Sequence, residues 1–92
     1  MANKQLEEIG GPAWAIPQSF SFAAEDWPRW SRRFERYRRA SGISKKPEDE
    51  QVDALIYAMG DDADDILLSF NLPAGEEKKY DIVFGKFEEH FV

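Results

Sequence analysis

His90 is the only histidine in the chain, and the only side chain whose ordinary pKa lies near neutrality. Any general acid–base chemistry would start there. A catalytic base needs a nucleophile to deprotonate and a group to orient it, and a metal-bound histidine needs further ligands. Glu88 and Glu89 stand beside it in sequence, but neighbouring positions on a helix do not share a face. His90 therefore reads as a surface residue near a helix C-terminus, where the backbone dipole favours a cation. The densest acidic run is Asp61-Asp62-Ala63-Asp64-Asp65. A calcium loop spaces its oxygen ligands at alternate positions, turns on a glycine and closes on a distal glutamate. This run instead leads straight into helical spacing, which makes it a helix start with a solvated acidic face. Gly10-Gly11 precedes Pro12 and not a Lys-Ser or Lys-Thr pair, so no phosphate cradle is encoded. The absence of cysteine excludes thiol catalysis, disulfides and cysteine-based zinc sites. No catalytic residue, metal or cofactor is expected, and the chain reads as non-enzymatic.

The arginines are the charged groups left to account for. At about 100° per residue, Arg29, Arg32, Arg33, Arg36 and Arg39 fall on one broad flank of a helix, with Arg38 toward its other edge. Three uses fit such a flank. It can pair within the chain, with the acidic positions Glu48–Glu50 and Asp61–Asp65. It can meet the acidic face of a neighbouring copy during self-assembly. Or it can contact nucleic acid, which the net charge of −6 opposes.

The helix that carries these arginines is the best-punctuated element of the chain. Asp26 is placed to cap its start, Pro28 sits in its first turn, and Gly42 supplies a left-handed stop. Trp27, Trp30, Phe34 and Tyr37 form one aromatic stripe along it, read as core. Pro47 restarts the chain, and Val52, Leu55, Ile56 and Met59 repeat at helical spacing before Gly60. Asp61 or Asp62 is expected to cap a third helix, with Ala63, Ile66, Leu67 and Phe70 inward. The last helix lines up Tyr80, Val83, Phe84, Phe87 and Phe91, and Gly85 within it marks a possible close helix–helix approach. The expected fold class is therefore all-α: a small bundle of four to five helices over about 26–41, 47–59, 62–70 and 79–91, preceded by an extended N-terminal arm. The core anchors are Trp27, Trp30, Phe34, Tyr37, Leu55, Ile56, Ile66, Leu67, Phe84 and Phe87.

Ahead of the bundle, residues 1–11 form a polar lead, with a helical turn expected around Gln5–Ile9. The arm, residues 12–25, carries Trp14, Ile16, Phe20 and Phe22 between helix-opposing prolines Pro12 and Pro17. It either lies across its own helices as added core, or helps form a groove for a partner segment. Trp14, Ile16, Phe20, Phe22, Arg29, Arg32, Arg33 and Arg36 are the candidate protein-interaction residues. Residues 12–92 amount to one small domain. No apolar run approaches the roughly 18 residues of a membrane span. The start of the chain has no signal-peptide core, so an intracellular, cytoplasmic protein is expected.

One series of residues resembles a known family. It runs Phe22, then Trp27-Pro28-Arg29-Trp30, Arg33-Phe34-Glu35-Arg36-Tyr37-Arg38 and Ala40-Ser41-Gly42. Gln51-Val52, Leu55-Ile56-Tyr57, Met59-Gly60, Ala63 and Ile66-Leu67 follow, and Tyr80-Asp81, Phe84, Phe87 and His90-Phe91-Val92 close it. The order is similar to the Gag polyprotein of gypsy-type retrotransposons, over about Phe20 to Val92. The resemblance implies the N-terminal lobe of a capsid, normally followed by a second capsid lobe and often by a zinc-knuckle nucleocapsid. Domesticated relatives such as the neuronal protein Arc have a comparable lobe. Two uses are implied: packing against copies of itself or the second lobe, and capture of a short peptide in an apolar groove near the arm. Nucleic-acid binding and membrane insertion are not expected of this lobe alone.

Overall fold

The computed structural model describes residues 15–92. It contains four α-helices: α1 (Trp27–Ala40), α2 (Glu48–Met59), α3 (Asp62–Ser69) and α4 (Tyr80–Phe91). Three single 3-10 turns, Ala24–Asp26, Ile43–Lys45 and Glu76–Lys78, sit at their junctions, and no strand occurs among the described residues. The fold is the expected all-α bundle, and each helix boundary agrees to within one residue, inside the usual uncertainty of helix ends. The readings made for the lead 1–11, its helical turn, and Trp14 lie outside the described residues.

Glycines end two of the helices and open the last 3-10 turn because the chain there needs positive φ. Gly42 follows α1 at φ 87°, Gly60 ends α2 at φ 122°, and Gly75 precedes the turn into α4 at φ 92°. The starts are made differently from the sequence expectation. Asp26 does not cap α1, because its backbone is already helical in the preceding 3-10 turn. Its carboxylate accepts from Ser21 Oγ at 2.7 Å, which ties the arm to the helix start. Neither Asp61 nor Asp62 caps α3 with its side chain; the Gly60 carbonyl takes the Ala63 N–H at 3.0 Å instead. The start of α4 is capped from a distance, with Glu48 Oε1 of α2 accepting the Tyr80 N–H at 3.0 Å.

The core is mainly aromatic and centres on Trp27. Its ring lies 5.5 Å from Phe20, 5.5 Å from Phe84 and 5.4 Å from Phe91, with Trp30 and Phe87 just beyond. Val52, Leu55, Ala58, Met59, Ala63 and Val83 fill the space between α2, α3 and α4. Of the expected anchors, Trp27, Trp30, Phe34, Leu55 and Phe87 are buried. Tyr37, Ile56, Ile66, Leu67 and Phe84 are half-buried and pack against that cluster from its edge.

The arm docks on its own bundle through Phe20. That ring is only 4% exposed, inside a cage of Phe22, Trp27, Trp30 and Phe91. Two hydrogen bonds hold the backbone around it: Phe20 N–H donates to the Met59 carbonyl at 3.0 Å, and Trp30 Nε1 donates to the Gln18 carbonyl at 2.6 Å. Phe22 stands at φ 63°, where the chain turns from the arm toward α1. A non-glycine residue reaches that region only at some cost.

Gly85 does not mark a close approach, since a methyl group built on it meets nothing within 4 Å. Gly85→Ala is therefore expected to raise stability by about 0.5–1 kcal/mol, the ordinary gain of alanine over glycine within a helix. Phe20→Ala is expected to cost about 3–5 kcal/mol, the range for truncating a buried aromatic ring. Urea unfolding followed by circular dichroism checks both. A Phe20→Ala chain within about 1 kcal/mol of the parent would return the arm to the surface and out of the core.

Candidate interaction surface

Helix α1 presents two chemistries on opposite sides. Trp27, Trp30 and Phe34 go inward, and Arg29, Arg32, Arg33, Arg36 and Arg39 remain exposed. Arg38 takes a third direction and packs between α1, α2 and α4. Its Nη2 donates to Glu35 Oε1 at 2.9 Å, and its Nη1 to Gln51 Oε1 at 2.7 Å. The guanidinium carbon lies 4.3 Å from the centre of the Tyr80 ring. Gln51, itself buried, donates onward to the carbonyls of Lys46 (2.8 Å) and Ser44 (3.2 Å). Tyr80 closes the group by donating its hydroxyl to Glu35 Oε2.

This polar cluster is satisfied within the chain, as buried polar groups must be. Burial pushes the Tyr80 phenol well above its ordinary value, and the hydrogen bond to Glu35 pushes it further. Arg38 is also held above the ordinary guanidinium value: burial lowers it, and the Glu35 hydrogen bond with the charges around it more than offsets that. Every titrating atom in the cluster faces another protein group. The cluster is thus a clamp on the bundle, and sequence periodicity does not reveal it because Glu35, Gln51 and Arg38 look like ordinary polar helix positions.

The other arginines do not pair as the internal reading expects. Among the described residues, Arg29, Arg32, Arg33 and Arg36 make no salt bridge, and none of Glu48–Glu50 or Asp61–Asp65 takes part in one. Arg39 makes only a loose contact of 3.8 Å with Glu35. The start of α2 borders the neighbouring cleft through Glu50, but no carboxylate of α2 or α3 comes within 4.0 Å of these guanidinium groups. Like charges three and four positions apart on one helix repel mildly, so the flank costs α1 some stability.

The arm runs along this flank and shapes its relief. Pro17 lies in two neighbouring clefts, one of about 570 Å³ with Arg33, Arg36, Tyr37 and Arg39, and a smaller one with Arg29, Trp30 and Arg33. Beyond Tyr37 a cleft of about 500 Å³ is lined by Ile16, Ile43, Asp53, Ala54 and Tyr57. Past Tyr57 a further hollow of about 480 Å³ is edged by Asp49, Asp53, Asp64 and Glu77 over a floor including Val52, Ile56 and Leu67.

The candidate residues are thus only partly brought together. Ile16 is 47% exposed and sits on the strip beside the arginine clefts. Arg33 and Arg36 line the clefts, Arg29 stands at their far end, and Arg32 is exposed but outside them. Phe20 is core, and Phe22 packs against it, so neither offers a free contact surface. Tyr57 is not among the interaction residues expected from the sequence, yet it is 76% exposed at the meeting of two clefts. Its signal was an aromatic residue off the apolar face of an amphipathic helix. His90 stacks edge-on against Phe70 and Phe91, and no group of three His, Asp or Glu side chains suited to a metal occurs among the described residues.

No protein-family model, no curated protein and no solved structure matches this chain.

The clamp gives a test with a defined sign. Tyr80→Phe removes one donor to Glu35 and is expected to cost about 1–2 kcal/mol at neutral pH. The phenol is raised in the folded state, so its contribution is whole below the unfolded value of about 10 and is lost as pH climbs above it. Stability of the parent should therefore fall more steeply than that of Tyr80→Phe between about pH 10 and 12. Parallel curves in denaturant titrations across that range would remove the Tyr80–Glu35 bond from the account.

Proposed function

We propose that this chain is a non-enzymatic self-association module, a capsid-type lobe of the Gag kind. The observation that carries the reading is the segregation of charge. Arg29, Arg32, Arg33 and Arg36 of α1 make no salt bridge among the described residues, and neither do the carboxylates of α2 and α3. Two unneutralised faces of opposite sign on one small molecule favour contact between copies. The Trp27-Pro28-Arg29-Trp30 series, the resemblance it belongs to, and the internal use of the polar clamp support the same reading. Weak association of the single lobe is the expected behaviour, with moderate salt shifting it toward monomer because exposed charges are screened. Sedimentation equilibrium at several salt concentrations is the measurement. A strictly monomeric chain up to about millimolar concentration, corresponding to less than about 4 kcal/mol of association, would set the reading aside.

A second reading has its own observation. The cleft of about 500 Å³ between Ile16, Tyr37, Ile43 and Tyr57 has the size of a site for a short apolar segment. Apolar heptapeptides titrated into labelled protein should then move the amide signals of Tyr37, Ala54 and Tyr57 together. Shifts spread elsewhere, or none at all, would remove peptide capture at this place.

A further inference from the structure

Three of these clefts are not separate features. Tyr37 lines both the arginine cleft and the apolar one, and Asp53 with Tyr57 lines both the apolar cleft and the acidic hollow. They form a continuous strip with an order to its chemistry. Arg33, Arg36 and Arg39 stand at one end, Ile16, Tyr37 and Tyr57 in the middle with the oppositely charged Lys46 and Glu50 beside them, and Asp49, Asp53 and Asp64 at the other. Lys78 also lies at the acidic end, where Asp49, Asp53, Asp64 and Glu77 outweigh it.

A strip ordered basic, apolar, acidic is complementary to itself. Turn a second copy about a two-fold axis that lies in the plane of contact and crosses the strip at its middle. The basic end of each copy then meets the acidic end of the other, and the two apolar middles meet at the axis. An isologous pairing of this kind makes every charge contact twice. It also covers the two large apolar side chains that the fold leaves uncovered here, Ile16 and Tyr57.

We propose that the strip from Arg33 to Asp64 is a two-fold interface between copies of this chain, with Tyr57 near its axis. The proposal rests on the self-association reading and specifies its surface and symmetry. The charges set the direction of the pairing, because the antiparallel arrangement alone avoids placing arginine on arginine. The apolar middle supplies the contact area that exposed charge pairs by themselves do not.

Charge reversal tests it, since all the residues concerned are exposed and circular dichroism verifies the fold of each variant. One variant carries Arg33→Glu with Arg36→Glu, and the other Asp53→Lys with Asp64→Lys. The parent should reach a plateau at dimer in sedimentation equilibrium. Each variant alone should associate more weakly by roughly tenfold or more, from like charges facing each other at both ends. An equimolar mixture should recover the dimer, because its reversed ends match again. Tyr57→Ala should weaken the parent dimer without changing its salt dependence. A parent that stays monomeric under all conditions overturns the self-association reading, and this proposal with it. A parent that associates as strongly after either reversal leaves self-association standing and overturns the strip. Growth beyond dimer that depends on both charged ends overturns the two-fold and indicates head-to-tail contact.

Discussion

Burial of Trp27 is the constraint on which the remaining packing depends. The ring is 1% exposed, and it touches the arm through Phe20, its own helix through Trp30, and α4 through Phe84, Phe87 and Phe91. A buried indole leaves an N–H that needs an acceptor. Glu88 of α4 supplies it at 2.9 Å. One side chain therefore fixes how far α4 can slide along α1 and how closely the arm can approach. In a chain of 92 residues without a disulfide, such a hub replaces the larger core that a longer protein would have.

The same helix has to serve two solvents. Its aromatic stripe is committed to the interior, which leaves its arginines to the outside or to the seams between helices. Arg38 goes into a seam, where Glu35, Gln51 and the Tyr80 ring receive it. Arg39 reaches Glu35 only loosely, and Arg29, Arg32, Arg33 and Arg36 make no salt bridge with the carboxylates of α2 and α3 or with any other described residue. The separation of charge on the surface thus follows from how the core orients α1. It is not an independent decoration.

Much of this was legible in the sequence. Apolar residues at helical spacing and the glycine stops located four helices closely, because those signals are local and strong. The depth of Trp27, Trp30, Phe34, Leu55 and Phe87 followed from their place on the stripes. What could not be read was everything that depends on a distant partner. Asp26 looked like a cap, yet the preceding turn had already made its backbone helical and Ser21 had taken its carboxylate. Phe20 looked as suitable for a partner as Ile16, and only the joint placement of α1, α4 and the arm decides that one is caged and the other is open. The arginine flank was visible as a pattern, while the absence of its internal partners required three-dimensional placement. Tyr57 was hidden by its helix, whose apolar face drew attention away from the exposed one.

The cap that Glu48 supplies to Tyr80 has a consequence for how the molecule assembles itself. Lys79, at the N-cap position of α4, carries no side-chain oxygen with which to hold the first free N–H groups of the helix. The acceptor comes from 32 residues earlier in the chain. Helix α4 therefore lacks its cap until α2 is formed and in position, and a segment holding α4 alone is left with a frayed start. The two helices also share the buried contacts around Leu55, Met59 and Val83. Order in one is thus conditional on order in the other, which binds the last quarter of the chain to the middle as a single cooperative unit.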